Sequence, residues 1–91
     1  FYVLDYKSNF LGATYADYRR EQLERSMAEH HYFLQASIYS VAIHRYLEQR
    51  LVDYDYDRHF GGVLYLFVRG MRSDVVGSGV FPLRFERAEM E

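Results

Sequence analysis

A carboxylate and an ammonium lie two positions apart near the start of the chain, in the stretch VLDYKSNFLG that covers residues 3–12. Because side chains at i and i+2 of a strand leave the same face, Asp5 and Lys7 are expected to project together from one rigid segment. A carboxylate suits a hard cation such as Mg²⁺, which binds through few protein ligands. A neighbouring lysine can orient an attacking water and stabilise charge developing on a phosphoryl group. The pair therefore predicts either metal-assisted hydrolysis or, more simply, an ion pair at a strand end.

A second pair of polar side chains, Gln35 and Tyr39, is spaced i,i+4 in a segment of helical character. Residues at this spacing share one helix face, so the amide and the hydroxyl could reach the same substrate phosphate. The structural alternative is a core tyrosine whose hydroxyl is satisfied by the nearby glutamine. Spacing alone leaves both interpretations open.

The pattern of apolar residues predicts the elements that must position these side chains. Residues 1–7 alternate as a strand, with three apolar side chains on the face opposite the charged pair: Tyr2, Leu4 and Tyr6. A capping-box pattern at Thr14 and Asp17 predicts a helix that continues to about His30. A second helix, from about Tyr32 to Leu51, has apolar flanks on two sides, which predicts a helix clamped between two layers.

The second half of the chain predicts one buried strand followed by weaker elements. Residues 63–68 form a continuous apolar run, which is typical of an interior parallel strand buried on both faces. Strand, helices and strand then make a crossover unit, expected to be right-handed. After residue 70 the pattern predicts only a short edge strand within residues 73–81 and the first turn of a helix within residues 84–91.

Composition narrows the classes of protein and of site. The 91 residues suffice for one small domain, and 49% of them are hydrophobic, so a packed core is expected. The net charge is −2, which gives no overall basic field, although a local patch or a bound metal can still handle phosphate. The absence of cysteine excludes disulfides and thiolate zinc sites. The sequence contains no apolar run long enough to span a membrane.

Two other groups of polar residues are predicted to have no chemical role. The spacing of Asp53, Asp55 and Asp57 imitates a calcium-binding loop, but Arg58 occupies the position where that loop needs glycine. Four histidines show no ligand partners at a recognisable spacing and are predicted to be ordinary surface or helix-end residues: His30, His31, His44 and His59.

Three separated blocks, taken in order, resemble a known family. VLDYKSNFLG, HHYFLQASIYSVAIHRYL and HFGGVLYLFVRGM are similar to the C-terminal nuclease domain of the RecB family, the beta subunits of exodeoxyribonuclease V. That domain belongs to the PD-(D/E)xK, or restriction-endonuclease-like, superfamily, and the likeness runs from about Tyr2 to Met71. It implies an α/β fold with a restriction-endonuclease-like mixed sheet flanked by helices, present here as a partial β-α-α-β fragment. Residues 1–91 would be the C-terminal part of such a nuclease domain, truncated upstream of Phe1.

The resemblance also implies a role for each matching residue. Asp5 corresponds to the metal-binding acidic residue and Lys7 to the catalytic lysine. Tyr6 would contribute its main-chain carbonyl as a further metal ligand, with its side chain packed into the core. Gln35 and Tyr39 match the family's Q-x-x-x-Y helix motif, which lies against the active site and helps to organise the substrate. The implied cofactor is Mg²⁺.

The remaining metal ligands of the family, acidic residues and a histidine, would precede Phe1, so the chain alone is expected to bind Mg²⁺ poorly and to cut nothing. The parent would be a bacterial cytoplasmic DNA exonuclease that processes double-strand breaks with RecC-like and RecD-like subunits. ATP would bind in the parent's helicase domain rather than here. Alternatives are an AddAB-like or Cas4-like nuclease, or a nuclease fold retained only for protein or DNA contacts.

Overall fold

The computed structural model describes residues 1–75 and 77–90. Val76 of the predicted edge strand and Glu91 of the predicted terminal helical turn lie outside the described residues. Strand β1 (Tyr2–Lys7) is followed by a 3₁₀ turn (Tyr15–Tyr18), helix α1 (Arg20–Glu29) and helix α2 (Tyr32–Arg50). The one-turn helix α3 (Tyr56–His59) then leads to strand β2 (Gly62–Phe67) and a second 3₁₀ turn (Val68–Gly70). Strand β3 (Val80–Leu83) and the one-turn helix α4 (Arg87–Met90) complete the described elements.

The three strands form one mixed sheet in the order β1-β2-β3. β1 and β2 are parallel, in a register that places Asp5 beside Tyr65 and Lys7 beside Phe67. β3 runs antiparallel to β2 and forms one edge of the described sheet. The predicted mixed sheet and β-α-α-β order are therefore confirmed. The edge strand predicted within residues 73–81 is present as β3 but begins only at Val80, because residues 77–79 form a turn with Gly77 and Gly79 at positive φ (77° and 73°).

The core lies between β2 and the two long helices. Val63, Tyr65 and Phe67 alternate along β2 toward the helices, and all three are fully buried. Leu23 and Met27 of α1 are buried against the same cluster. Because β2 is the central strand, its buried side chains form a rigid apolar surface beside the polar side chains of the neighbouring β1.

The first predicted helix is divided in the structure. Thr14 and Asp17 form the predicted capping box, and the Thr14 main-chain N–H donates to the Asp17 carboxylate over 3.0 Å. This box begins only a 3₁₀ turn, because Arg19 adopts an extended conformation (φ −70°, ψ 165°) and α1 starts at Arg20. The buried Tyr18 receives a hydrogen bond from the Leu11 main-chain N–H (3.2 Å), which ties the turn to the preceding loop.

The second helix follows its prediction in length but not in its surroundings. α2 buries one apolar flank, including Ala36 and Leu47, whereas Leu34 and Ile38 on the other flank are 63% and 60% exposed. The prediction of a helix clamped between two layers is therefore wrong for the described residues, because the sheet covers only one flank. No helix in residues 1–75 and 77–90 combines the length and the apolar character needed to cross a membrane.

One histidine differs from its prediction. His44 is 2% exposed, its Nδ1 lies 2.9 Å from the Tyr54 hydroxyl, and its ring meets the Tyr56 ring edge to face. Its Nε2 lies 3.8 Å from the Glu48 carboxylate. The prediction of a surface or helix-end residue is wrong for His44, because the connector after α2 folds back and covers it. The other three histidines lie at or beside helix ends, as predicted: His30, His31 and His59.

Candidate functional site

The charged pair of β1 lies on the face of the sheet that carries the core. Lys7 Nζ is 3.1 Å from Asp5 Oδ1, and the two side chains are only 14% and 16% exposed. Strand alternation explains why they meet, because both leave the same face of β1. The sequence prediction that Asp5 and Lys7 project together is confirmed. The structure thus holds a nearly buried ion pair on a stiff element.

The Lys7 ammonium has partners other than Asp5. Its Nζ donates a hydrogen bond to Gln35 Oε1 on α2 over 3.3 Å. It also lies 4.1 Å from the centre of the Tyr32 ring and 5.5 Å from that of Tyr65, within the range of cation–π attraction. An amide oxygen and two aromatic rings therefore fix the ammonium together with the carboxylate.

Tyr65 links the strand to the helix beneath this ammonium. Its hydroxyl lies 3.0 Å from Gln35 Oε1 and 3.1 Å from the main-chain carbonyl of Tyr32, and can donate to either. Burial and, second, the negative charge of Asp5 raise the pKa of Tyr65, so the phenol keeps its proton at neutral pH. Lys7 donates to Gln35 Oε1 and the Tyr65 hydroxyl lies within hydrogen-bond distance of the same oxygen, so both groups hold that oxygen toward the charged pair.

The other two predicted site residues take different positions. Tyr39 is partly buried one helical turn beyond Gln35, near enough to Tyr65 to contribute to its raised pKa. Gln35 thus contacts the pair directly, whereas Tyr39 flanks it. The Tyr6 side chain is 66% exposed on the opposite face of β1, so the prediction that it packs into the core is wrong. Strand alternation is the reason: the residue between two inward side chains must point outward.

Three residues of this cluster were not predicted from the sequence: Asn9, Tyr32 and Tyr65. Tyr32 and Tyr65 enclose the ammonium, and the Asn9 side chain lies 3.2 and 3.3 Å from the Tyr32 hydroxyl. Tyr32 precedes Gln35 by three positions, so helical spacing contains a signal for it. Tyr65 lies inside an apolar run, and only the strand register that places it beside Asp5 reveals its role.

The residues present fit one part of a magnesium site. Asp5 offers hard oxygen donors, which Mg²⁺ prefers, on a rigid strand beside a cation suited to phosphate. Within residues 1–75 and 77–90, no group of three or more His, Cys, Asp or Glu side chains is placed to hold a metal. Mg²⁺ commonly uses one or two carboxylates and fills its remaining positions with waters and substrate phosphates. Asp5 therefore fits as one ligand of such a site, which would need further donors.

Comparison with known proteins gives a consistent result. The chain is 50% identical over 91 residues to the protein named RecBCD enzyme subunit RecB of Haemophilus influenzae, a match that covers 100% of the chain. By sequence, the chain is related to RecB. It is also 45% identical over 84 residues to the Escherichia coli RecB, covering 92% of the chain. A third RecB, from Mycobacterium tuberculosis, is 56% identical over 69 residues, or 76% of the chain.

The chain spans about 7% of the length of the first two RecB relatives and 6% of the third. No family model matches it. The resemblance to RecB that three sequence blocks indicated is thereby confirmed. The match with the Haemophilus influenzae RecB extends over all 91 residues of the chain, so it spans the positions of β1 and α2.

Proposed function

We propose that the chain is part of a Mg²⁺-dependent DNA nuclease domain of a RecBCD-type helicase–nuclease. The parent would hydrolyse DNA phosphodiester bonds during double-strand break processing, together with RecC-like and RecD-like subunits. The relatives' name, RecBCD enzyme subunit RecB, supports the assignment to this class of enzyme. The observation that carries the proposal is the 3.1 Å contact between Asp5 and Lys7 on one strand face.

Each residue of the cluster has a proposed role. Asp5, with the main-chain carbonyl of Tyr6, would hold Mg²⁺, and Lys7 would stabilise the charge that develops on the phosphoryl group. Bound Mg²⁺ would supply Lewis-acid chemistry, neutralising phosphate charge and making a water easier to deprotonate. Gln35 would hold the ammonium in place, and Tyr39 would line the substrate side of the helix.

The surroundings of Lys7 support a catalytic pair over a purely structural ion pair. A structural ion pair needs only its two members, yet Lys7 is also held by Gln35 and by the Tyr32 ring. If the Asp5 carboxylate turned toward a cation, the ammonium would keep these partners and its position. Lys7 is also the single lysine in a chain with 11 basic residues, so every other cation is an arginine. An ammonium is a compact point charge, which suits a confined position beside a phosphate.

A nuclease fold without catalytic activity is the second candidate. One observation favours it: the described residues supply no complete set of metal ligands. The two candidates differ in what they require of the full-length parent, because only the catalytic one needs further acidic residues near Asp5. The AddAB-like and Cas4-like alternatives are less favoured, since the relatives reported above are RecB proteins.

The experiment that separates these functions uses the full-length parent in its complex. We expect Lys7→Ala to lower DNA cleavage by at least about a hundredfold, the scale of losing one transition-state charge partner, while ATP-driven unwinding stays unchanged. A matched control is Arg45→Ala, which removes an exposed cation from α2, away from the cluster. Equal loss of cleavage and unwinding in the Lys7 variant, or unaltered cleavage, would contradict the proposal.

A further inference from the structure

A groove lined by arginines and aromatic rings begins beside the Asp5–Lys7 site, and we propose that it holds single-stranded DNA next to the bond being cut. The inference rests on the proposed nuclease function and adds a binding surface to it. We call it the arginine–aromatic groove and define it by these residues: Phe10, Tyr15, Arg19, Arg20, Arg69 and Arg72. None of them belongs to the catalytic cluster described above.

The groove consists of two adjoining cavities. Each has a volume of about 620 Å³, and Tyr15 and Tyr18 line both of them. Phe10 and Arg69 line the cavity on one side of Tyr15, and the remaining arginines of the groove line the other. The shared residues make the two cavities neighbours on one surface of the molecule.

Main-chain geometry places one end of the groove at the catalytic cluster. β1 and β2 are parallel, so their carboxyl ends reach the same edge of the sheet. There the Arg69 side chain donates to the main-chain carbonyl of Ser8 over 2.7 Å, directly after Lys7. Phe10 follows Lys7 by three residues, so their Cα atoms are at most about 11 Å apart.

The aromatic rings of the groove are exposed and accompanied by guanidinium groups. Phe10 is 68% exposed and Tyr15 54% exposed. The Arg69 guanidinium lies 5.8 Å from the centre of the Phe10 ring, and that of Arg72 lies 4.7 Å from the Tyr15 ring. Exposed rings can stack on bases while neighbouring arginines contact phosphates. Duplex DNA hides its base faces in the stack, so this combination fits a single strand.

The charge of the groove is opposite to that of the whole chain. The chain carries a net charge of −2, whereas the groove brings four arginines together. Asp74 pairs with Arg72 through contacts of 3.0 and 2.6 Å, which reduces the positive charge at that end. Arg69, at the end nearest Lys7, remains exposed and adds positive charge where the scissile phosphate would lie. The groove is therefore complementary to a phosphate backbone.

The first test compares two exposed aromatic residues in the full-length parent complex. Tyr46 on α2 is 47% exposed and has the Arg50 guanidinium 5.0 Å from its ring, so it reproduces the local chemistry outside the groove. We expect Phe10→Leu to raise the KM for cleavage of a short oligothymidylate about tenfold, the scale of losing one stacked base. Tyr46→Leu should leave the KM unchanged, and Phe10→Tyr should restore it. No change for Phe10→Leu, or equal changes for both leucine variants, would overturn the proposal.

The second test does not depend on cleavage. Oligothymidylate carrying 5-iodouracil is photo-crosslinked to the Lys7→Ala parent complex, and the modified peptides are identified by mass spectrometry. We expect crosslinks at Phe10 or Tyr15. The proposal would be overturned if the crosslinks to this chain avoided both residues or if no crosslink formed. If Lys7→Ala still cuts DNA, the proposed catalytic role fails, yet the crosslink positions still decide whether the groove binds the strand.

Discussion

The two faces of β1 reverse the usual distribution of residues. The inner face carries a charged pair that is 14% and 16% exposed, whereas Tyr2, Leu4 and Tyr6 on the outer face are 63%, 52% and 66% exposed. Charged residues are rarely buried unless they are paired, and exposed aromatic residues normally need a reason. The inner face supplies the required partners, an amide oxygen and two rings from α2 and β2. The organised side of this strand is therefore its polar side.

The difference shows on which face of β1 packing fixes the side chains. Each inward position of β1 lies beside a fully buried residue of β2, Val63, Tyr65 or Phe67. These neighbours fix the inner side chains from one side while α2 fixes them from above. Outward side chains of β1 have no such layer over them in the described structure. A polar group that must keep one geometry is best placed where packing restricts its rotamers.

The largest expected effect comes from truncating one residue on each face. Phe67 is fully buried beside Lys7, so Phe67→Ala should lower the free energy of unfolding of the 91-residue chain by about 3–5 kcal/mol. Tyr6→Ala, on the exposed face, should change it by less than about 1 kcal/mol. Urea unfolding followed by circular dichroism measures both. Similar losses for the two variants would show that the faces do not differ in packing.

A smaller effect is expected from removing a single hydroxyl group on each face. Tyr65→Phe removes the donor to Gln35 and should cost about 1 kcal/mol of unfolding free energy. In the full-length parent it should lower the kcat for DNA cleavage several-fold with little change in KM, because Gln35 would position the ammonium less well. Tyr6→Phe is the matched control and should alter neither quantity. If Tyr65→Phe cleaves DNA like the unaltered enzyme, Tyr65 serves packing alone.

The smallest effect is expected in the pH dependence of stability. The pKa of Tyr65 is raised from 10.0 chiefly by burial, so the folded state holds this proton more tightly than the unfolded state. The contribution of this proton to the free energy of unfolding is fully present well below pH 10 and is lost progressively as the pH rises above 10. At pH 10 the loss amounts to about 0.4 kcal/mol. Unfolding measured between pH 8 and pH 10.5 should decline less in Tyr65→Phe than in Tyr6→Phe, and parallel curves would argue against this cause.

Local patterns in the sequence predicted most of the elements and half of the site. Alternation placed Asp5 and Lys7 on one face of β1, and helical spacing placed Gln35 and Tyr39 on one face of a helix. The capping box at Thr14 was also correct, because it depends only on residues three positions apart. These predictions succeeded because each relies on geometry within a single element.

Several errors involve contacts between elements that are distant in the sequence. Tyr65 became a site residue through its register beside Asp5, which the sequence of either strand does not specify. His44 is buried because Tyr54 and Tyr56 fold back over it, and no spacing rule predicts that return. The two-sided apolar pattern of α2 indicated two covering layers, whereas the described residues provide one. Periodicity shows which faces are apolar but does not show what covers them.

The central claim is that Asp5 and Lys7 act together to hold a divalent cation against DNA. Its most direct test is the Mg²⁺ dependence of DNA cleavage by the Asp5→Asn variant of the full-length parent complex. Asparagine keeps the shape of the side chain and an acceptor for Lys7 but loses the charge that a cation needs. We expect at least about a tenfold higher Mg²⁺ requirement, or loss of cleavage, with a melting temperature within about 2 °C of the unaltered protein. An unchanged Mg²⁺ dependence together with a clearly lower melting temperature would identify a structural ion pair and contradict the claim.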